Sequence, residues 1–174
     1  MRKSILFVGY LDEIKLVENY KNLSTAGLKY QLNLIKELHR NPNVDLSVVS
    51  YTPVPSFPRG PLYSRKKKYN IDDISLTNLW FINLSFLKSL LFSWNLIKFV
   101  KCLKRKKRID VILSFNYYLT MSNPLRKIHK NYSIPIMPIL ADLPITHSIN
   151  YPIVILLGTA CGFIIISGTI PSAE

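Results

Sequence analysis

The sequence predicts an α/β chain built on a doubly wound parallel sheet. Short, continuous apolar runs rich in Ile, Val and Phe recur along it, as buried parallel strands require. Stretches with helical periodicity separate them, so the crossovers make the strands parallel. The chain has 174 residues, 48% hydrophobic and 19% charged, enough to bury one core. That balance excludes a disordered chain, and 6 Gly with 11 Pro exclude a collagen-like one.

Ser4 to Gly9 (SILFVG) is the first strand, ended by glycine. Ser24 is a suitable cap for a first helix, in which Leu28, Leu32, Ile35 and Leu38 recur on one face. Asn41-Pro42 stops that helix, and Val44 to Ser50 is the second strand. Tyr51 to Tyr69 reads as a loop, because Pro53, Pro55, Pro58 and Pro61 forbid a helix or a central strand. Its length points to function or motion. Ile74 to Asn83 reads as the third strand. Leu84 to Lys107 reads as a long helix, with Leu87, Leu90, Leu91, Trp94, Ile97 and Leu103 on its apolar face. Ile109 to Phe115 is the fourth strand. Tyr117 to Tyr132 is helical, with a start expected at Ser122 or Asn123 beside Pro124. Ile134 to Ala141 is the fifth strand, weakened by Pro135 and Pro138. The predicted order is β-α-β-loop-β-α-β-α-β, with no internal repeat.

Charge is spread unevenly. The formal net charge is +13, yet every Lys and Arg lies at or before Lys130. Two clusters stand out: Arg65-Lys66-Lys67-Lys68, and Lys98 to Arg108, where seven of eleven residues are basic. The second falls at a helix end, where cations complement the dipole. It lacks the interleaved aromatics of a single-strand binder, so nucleic acid is not the expected partner. Attraction to an anionic membrane surface or to phosphate-bearing substrates fits better. A plain solvated face is the competing reading.

Cys102 and Cys161 are too few for a disulfide framework and lack metal-ligand spacing. The expectation is two reduced, half-buried thiols. His39, His129 and His147 are scattered, so no metal site is expected. No Walker, GxSxG or GxGxxG pattern is present. The apolar start meets Asp12 and Glu13 before a signal peptide could develop, so the expected compartment is the cytoplasm, with the inner face of the membrane as the alternative.

In an open parallel sheet, ligands bind beyond the carboxyl ends of the strands. That selects the segment after Gly9, Ser50 to Pro55, Asn83, Asn116-Tyr117, and Asp142. Gly27, in the first turn of helix one, would let an anion approach free N–H groups. Asn116 and Tyr117 suit a hydroxyl-rich ligand, or form an ordinary polar turn. Asp142 could accept a sugar hydroxyl, or cap a turn before Pro144. It is the single catalytic candidate.

Five segments, in this order and spacing, resemble the N-terminal domain of family-4 glycosyltransferases of the GT-B class. They are Ile5–Gly9, Thr25-Ala26-Gly27-Leu28-Lys29-Tyr30-Gln31, Leu79-Trp80-Phe81-Ile82-Asn83-Leu84, Asp110–Asn116 and Ile139-Leu140-Ala141-Asp142-Leu143-Pro144. The resemblance covers about residues 4–145 and implies a Rossmann-like acceptor-side domain over residues 1–145. It implies sugar transfer, with retention at the anomeric carbon, from a nucleotide sugar to a saccharide or lipid-linked acceptor in bacterial surface polysaccharide assembly. The nucleotide sugar is a substrate, and no cofactor or metal is implied. Gly27 would face the cleft. Asp142 would stand where many relatives carry His or a His-Asp pair, and this chain has no His there. The paired glycines common in the first loop of relatives are also missing.

Relatives hold the donor in a second domain with two glutamates eight residues apart. Here Glu174 is the single glutamate beyond Glu37. The expectation is an N-terminal half, truncated before the donor domain and inactive alone, with a partner chain as one source of that domain. Residues 146–174 form an apolar tail, in which 11 of the 14 residues Ile153 to Ile166 are apolar. As a helix, the 18 residues between Pro152 and Pro171 would reach about 27 Å at ~1.5 Å per residue, against a ~30 Å hydrocarbon core. A membrane anchor, a buried element and an aberrant end are all open. The rival to an enzyme is a non-catalytic basic module on an anionic membrane surface or a lipid-linked phosphate.

Overall fold

The computed structural model describes residues 2–11, 25–52, 54–71, 73–116 and 119–139. Along the chain run β1 (Lys3–Gly9), α1 (Thr25–Arg40), β2 (Val44–Ser50), β3 (Tyr63–Ser64), β4 (Lys67–Ile71) and β5 (Ile74–Asn78). Then follow β6 (Phe81–Ile82), α2 (Ser85–Lys106), β7 (Val111–Phe115), α3 (Leu119–Tyr132) and β8 (Ile136–Ile139). The main sheet has six strands in the order β4-β5-β2-β1-β7-β8. β5, β2, β1, β7 and β8 are mutually parallel. Counted in chain order they lie 3-2-1-4-5, the doubly wound arrangement, with its switch point between β1 and β7.

Strand alternation sends side chains to two cores. Leu6 and Val8 of β1, with Val49 and Ile112, pack under α2 and α3 through Leu96, Val100, Met121, Leu125 and Ile128. Phe7, with Val48, Leu76, Leu113 and Phe115, packs under α1 through Leu28, Leu32 and Ile35. The apolar stripe expected on the first helix is therefore the buried one.

Five expectations need correction. The sheet is mixed: β4 is antiparallel to β5 and adds a sixth strand at the edge. It starts inside the expected loop, where the prolines have ended, and β3 forms a separate two-stranded sheet with β6. The third strand leaves the main sheet at Asn78, not Asn83, and Phe81–Ile82 pairs with Tyr63–Ser64 instead. α3 starts by Leu119 and holds Pro124 inside. The ring removes one donor to the preceding turn, a local loss that the buried Met121, Leu125 and Ile128 outweigh. Finally, α2 is turned partway from the expected face, of which Ile97 and Leu103 still pack against the core. It buries Phe92, Asn95, Leu96 and Val100, while Leu87, Leu90 and Trp94 are exposed. Its first half is apolar nearly all round, so periodicity alone has no unique answer. Asn95 settles the rotation by donating to the Trp80 carbonyl at 2.9 Å.

Pro138 sits in β8 opposite Ser114. The sheet tolerates it because β8 is its last strand among the described residues. No helix among these residues is long and apolar enough to cross a membrane. The tail, the expected boundary at 145 and Cys161 lie outside the described residues. Cys102 is a free thiol and exposed, not half-buried.

Candidate functional site

The carboxyl edge of the parallel strands is built around one helix side chain. Gln31 lies on the apolar stripe of α1, yet it is polar and only 3% exposed. Its Oε1 accepts the Tyr10 N–H at 2.9 Å, and its Nε2 donates to the carbonyls of Tyr10 at 3.3 Å and Gly27 at 3.2 Å. The amide thus gives the chain leaving β1 the partners a strand would give. Gly9 permits this approach, since a Cβ there would overlap Gln31 Oε1 and lie 2.6 Å from the Phe7 ring.

Beside it, the end of β2 is tied to the end of β5. The buried Ser50 hydroxyl donates to the Leu11 carbonyl at 2.8 Å and touches the Asn78 side chain. With its amide group turned to suit its neighbours, Asn78 donates to the carbonyls of Ser50 and Leu11, each at 3.2 Å. Its oxygen then accepts from the Thr52 hydroxyl at 3.3 Å. Asn78 therefore takes the strand-end place expected of Asn83.

At the switch point, Asn116 follows β7 with φ 46°, a left-handed value that asparagine adopts more readily than most residues. It is buried, and its N–H donates to the Ile139 carbonyl at 2.8 Å. It shapes the turn between β7 and α3 more than it offers an amide to solvent. Gly27 is half-exposed in the first turn of α1. Tyr30, one turn on, is 44% exposed and lies over Phe115 with ring centroids 5.8 Å apart. That contact ties α1 to the end of β7, so Gly27, Tyr30 and Asn116 share one corner. Tyr117 and Asp142 lie outside the described residues.

Asn83 has a different task. Its Nδ2 donates to the carbonyls of Pro55 at 2.6 Å and Pro61 at 2.8 Å. Its backbone accepts from Phe57 and donates to Leu62. One amide thereby folds the proline-rich loop onto the start of α2. Lys88, in the first turns of α2, donates to the Val54 carbonyl at 2.8 Å with its ammonium over the Phe81 ring. Burial lowers its pKa from the usual lysine value.

Among the described residues, this edge presents amides, hydroxyls, exposed backbone and aromatic rings, with no carboxylate or imidazole. No three His, Cys, Asp or Glu among them converge as metal ligands. Ser50 and Thr52 fall in the segment expected at a strand end, Tyr30 and Gln31 in a matched segment but without a role of their own, and Asn78 escaped sequence reasoning. Gln31 left a signal, a polar residue at a buried helical position.

No family model matches the sequence, and no curated protein aligns with it. Among solved structures, the chain is similar to a UGT transferase from Siraitia grosvenorii, crystallised with UDP. The TM-score is 0.44 at 14% identity, over 79% of this chain and 24% of that one. This chain thus spans about a quarter of that protein's length.

Proposed function

We propose that this chain is the acceptor-side half of a retaining glycosyltransferase that uses a nucleotide sugar. The acceptor, a saccharide or a lipid-linked sugar, would bind at the corner of Gly27, Tyr30 and Asn116. The observation that carries the reading is this corner. It lies at the switch point of a doubly wound sheet, where such sheets take their ligands. It joins the exposed face of Tyr30 to the half-exposed main chain at Gly27, with Asn116 shaping the adjoining turn, and that pairing suits a sugar's apolar and hydroxyl faces. The family resemblance of the five segments gives the same orientation.

Transfer needs groups that hold the leaving nucleoside diphosphate, and a second α/β unit, as a further domain or partner chain, would supply them. The 174-residue chain alone then binds acceptor without turnover. Asp142 and Tyr117 would complete the acceptor side, Asp142 by accepting a hydroxyl proton.

The test is amide-resolved NMR of the purified chain, titrated with a panel of oligosaccharides and, separately, UDP-, dTDP- and GDP-sugars. Saccharide-induced shifts at Gly27, Tyr30 and Asn116, lost in Tyr30→Ala, are expected. A panel that moves none of these amides would overturn the acceptor site. Release of nucleotide from a sugar donor by the chain alone would overturn the half-enzyme reading.

A further inference from the structure

The exposed side of α2 and the loop beside it form one surface of mixed character. Among the described residues, the large apolar side chains left in solvent are Tyr30 and eight others, all from residues 57–94. On α2, Phe86 is 77% exposed, and Leu90 and Trp94 are each 54% exposed. They stand four residues apart, on one helix face. Phe57, Leu62 and Tyr63 are also exposed, on the loop that the Asn83 backbone holds next to the start of α2.

The same face turns basic further along. Lys98, Lys101 and Arg105 continue the spacing and are all exposed, and Lys98 sits 4.9 Å over the Trp94 ring. On the loop side, Tyr63 is followed by exposed Arg65, Lys66, Lys67 and Lys68. The basic run on α2 thus adjoins the apolar stripe on the same helix face. The only acidic side chains among residues 54–106 are Asp72 and Asp73, which lie outside α2 and its loop.

We propose that this face docks on an anionic phospholipid bilayer. α2 would lie in the interface plane, with Phe86, Leu90 and Trp94 among the acyl chains and Lys98, Lys101 and Arg105 on lipid phosphates. An apolar stripe without charge would fit another protein as well. The basic continuation of the same helix face chooses the bilayer, since it meets an anionic plane beside the apolar stripe. Tryptophan suits the boundary, with an apolar ring and one polar N–H. The inference does not depend on sugar transfer.

The test is flotation of the full chain with vesicles of phosphatidylcholine alone or with 30% phosphatidylglycerol, at low and high salt. Two triple variants accompany it: Phe86→Ser/Leu90→Ser/Trp94→Ser and Lys98→Gln/Lys101→Gln/Arg105→Gln. All six side chains are exposed, and circular dichroism checks that both variants fold. The wild type should bind the anionic vesicles and lose binding as salt rises. The basic triple should weaken binding on the order of tenfold or more, from the charge it removes near the surface. The apolar triple should weaken it at both salt levels.

Equal binding to neutral vesicles overturns the proposal. So does unchanged binding by both variants, which would assign lipid contact to another part of the chain, residues 140–174 included. A wild type that ignores vesicles but self-associates through this patch, with the apolar triple monomeric, would overturn it in favour of a second copy as occupant.

Discussion

Gln31 holds the main chain of Tyr10 from both sides, accepting its N–H at 2.9 Å and donating to its carbonyl at 3.3 Å. A helix side chain thereby ends a strand. Gln31→Leu keeps the volume and removes the side-chain bonds to Tyr10 and Gly27. The expected loss is about 1–2 kcal/mol, at ~0.5–1.5 kcal/mol net per hydrogen bond. Urea denaturation with an unchanged slope checks it, and wild-type stability would refute the role. Gly9→Ala should destabilise as well, because its methyl meets the same amide.

Asn83 should control access to the proline-rich loop. Asn83→Ala removes both bonds to the Pro55 and Pro61 carbonyls. Trypsin should then cut after the exposed Arg59 several times faster than in wild type, read by mass spectrometry at fixed times. An equal rate would mean that the loop is held by other contacts.

Asp110 links the other end of the sheet. Its carboxylate accepts the Ser4 N–H at 2.8 Å and pairs with Arg108 Nε at 2.6 Å. The Ser4 hydrogen bond leads the causes that hold its pKa below 3.8, followed among the lowering effects by the charges of Arg108 and Lys3. A carboxylate with a depressed folded pKa stabilises the fold above its unfolded value, and that contribution fades as pH falls through the folded one. Asp110→Asn should therefore melt lower than wild type at pH 7, with the gap closing below about pH 4. A gap independent of pH would assign the loss to packing.

Lys88 carries the opposite sign. Its folded pKa lies below 10.5, so the fold disfavours its charge, and the unfolded chain binds more protons between the two values. Stability from this group rises with pH across that window. Against Lys88→Met, which cannot titrate, wild type should gain stability between pH 7 and 10.5. Parallel denaturation curves at both ends would refute it.

The strand at Leu6, Phe7 and Val8 was legible as a continuous apolar run, and the buried face of α1 as the spacing of Leu28, Leu32 and Ile35. Gly9 and Asn116 were legible as strand-end positions, and Gly27 as a first-turn position of the first helix. The face of α2 was not, because Leu87, Leu90 and Trp94 match a buried stripe as well as Phe92, Leu96 and Val100 do. Asn95 decides between them through a carbonyl 15 residues away. The work of Asn78 and Asn83 was also hidden, since an amide reads alike whether it meets a ligand or a loop. The break at Leu79-Trp80 separates them, and it has no glycine or proline to announce it.

The two outer strands of the sheet have a consequence for how the molecule keeps to itself. A bare strand edge is a template on which another chain can add, and repetition of that step builds fibres. β4 lines one border and carries exposed Lys67 and Lys68. β8 lines the other among the described residues and carries Pro138, which has no N–H to give. Like charge repels an incoming copy on one side, and a missing donor breaks the ladder on the other. Lys67 and Lys68 therefore keep sheet from joining sheet at a border that backbone pairing alone would leave open.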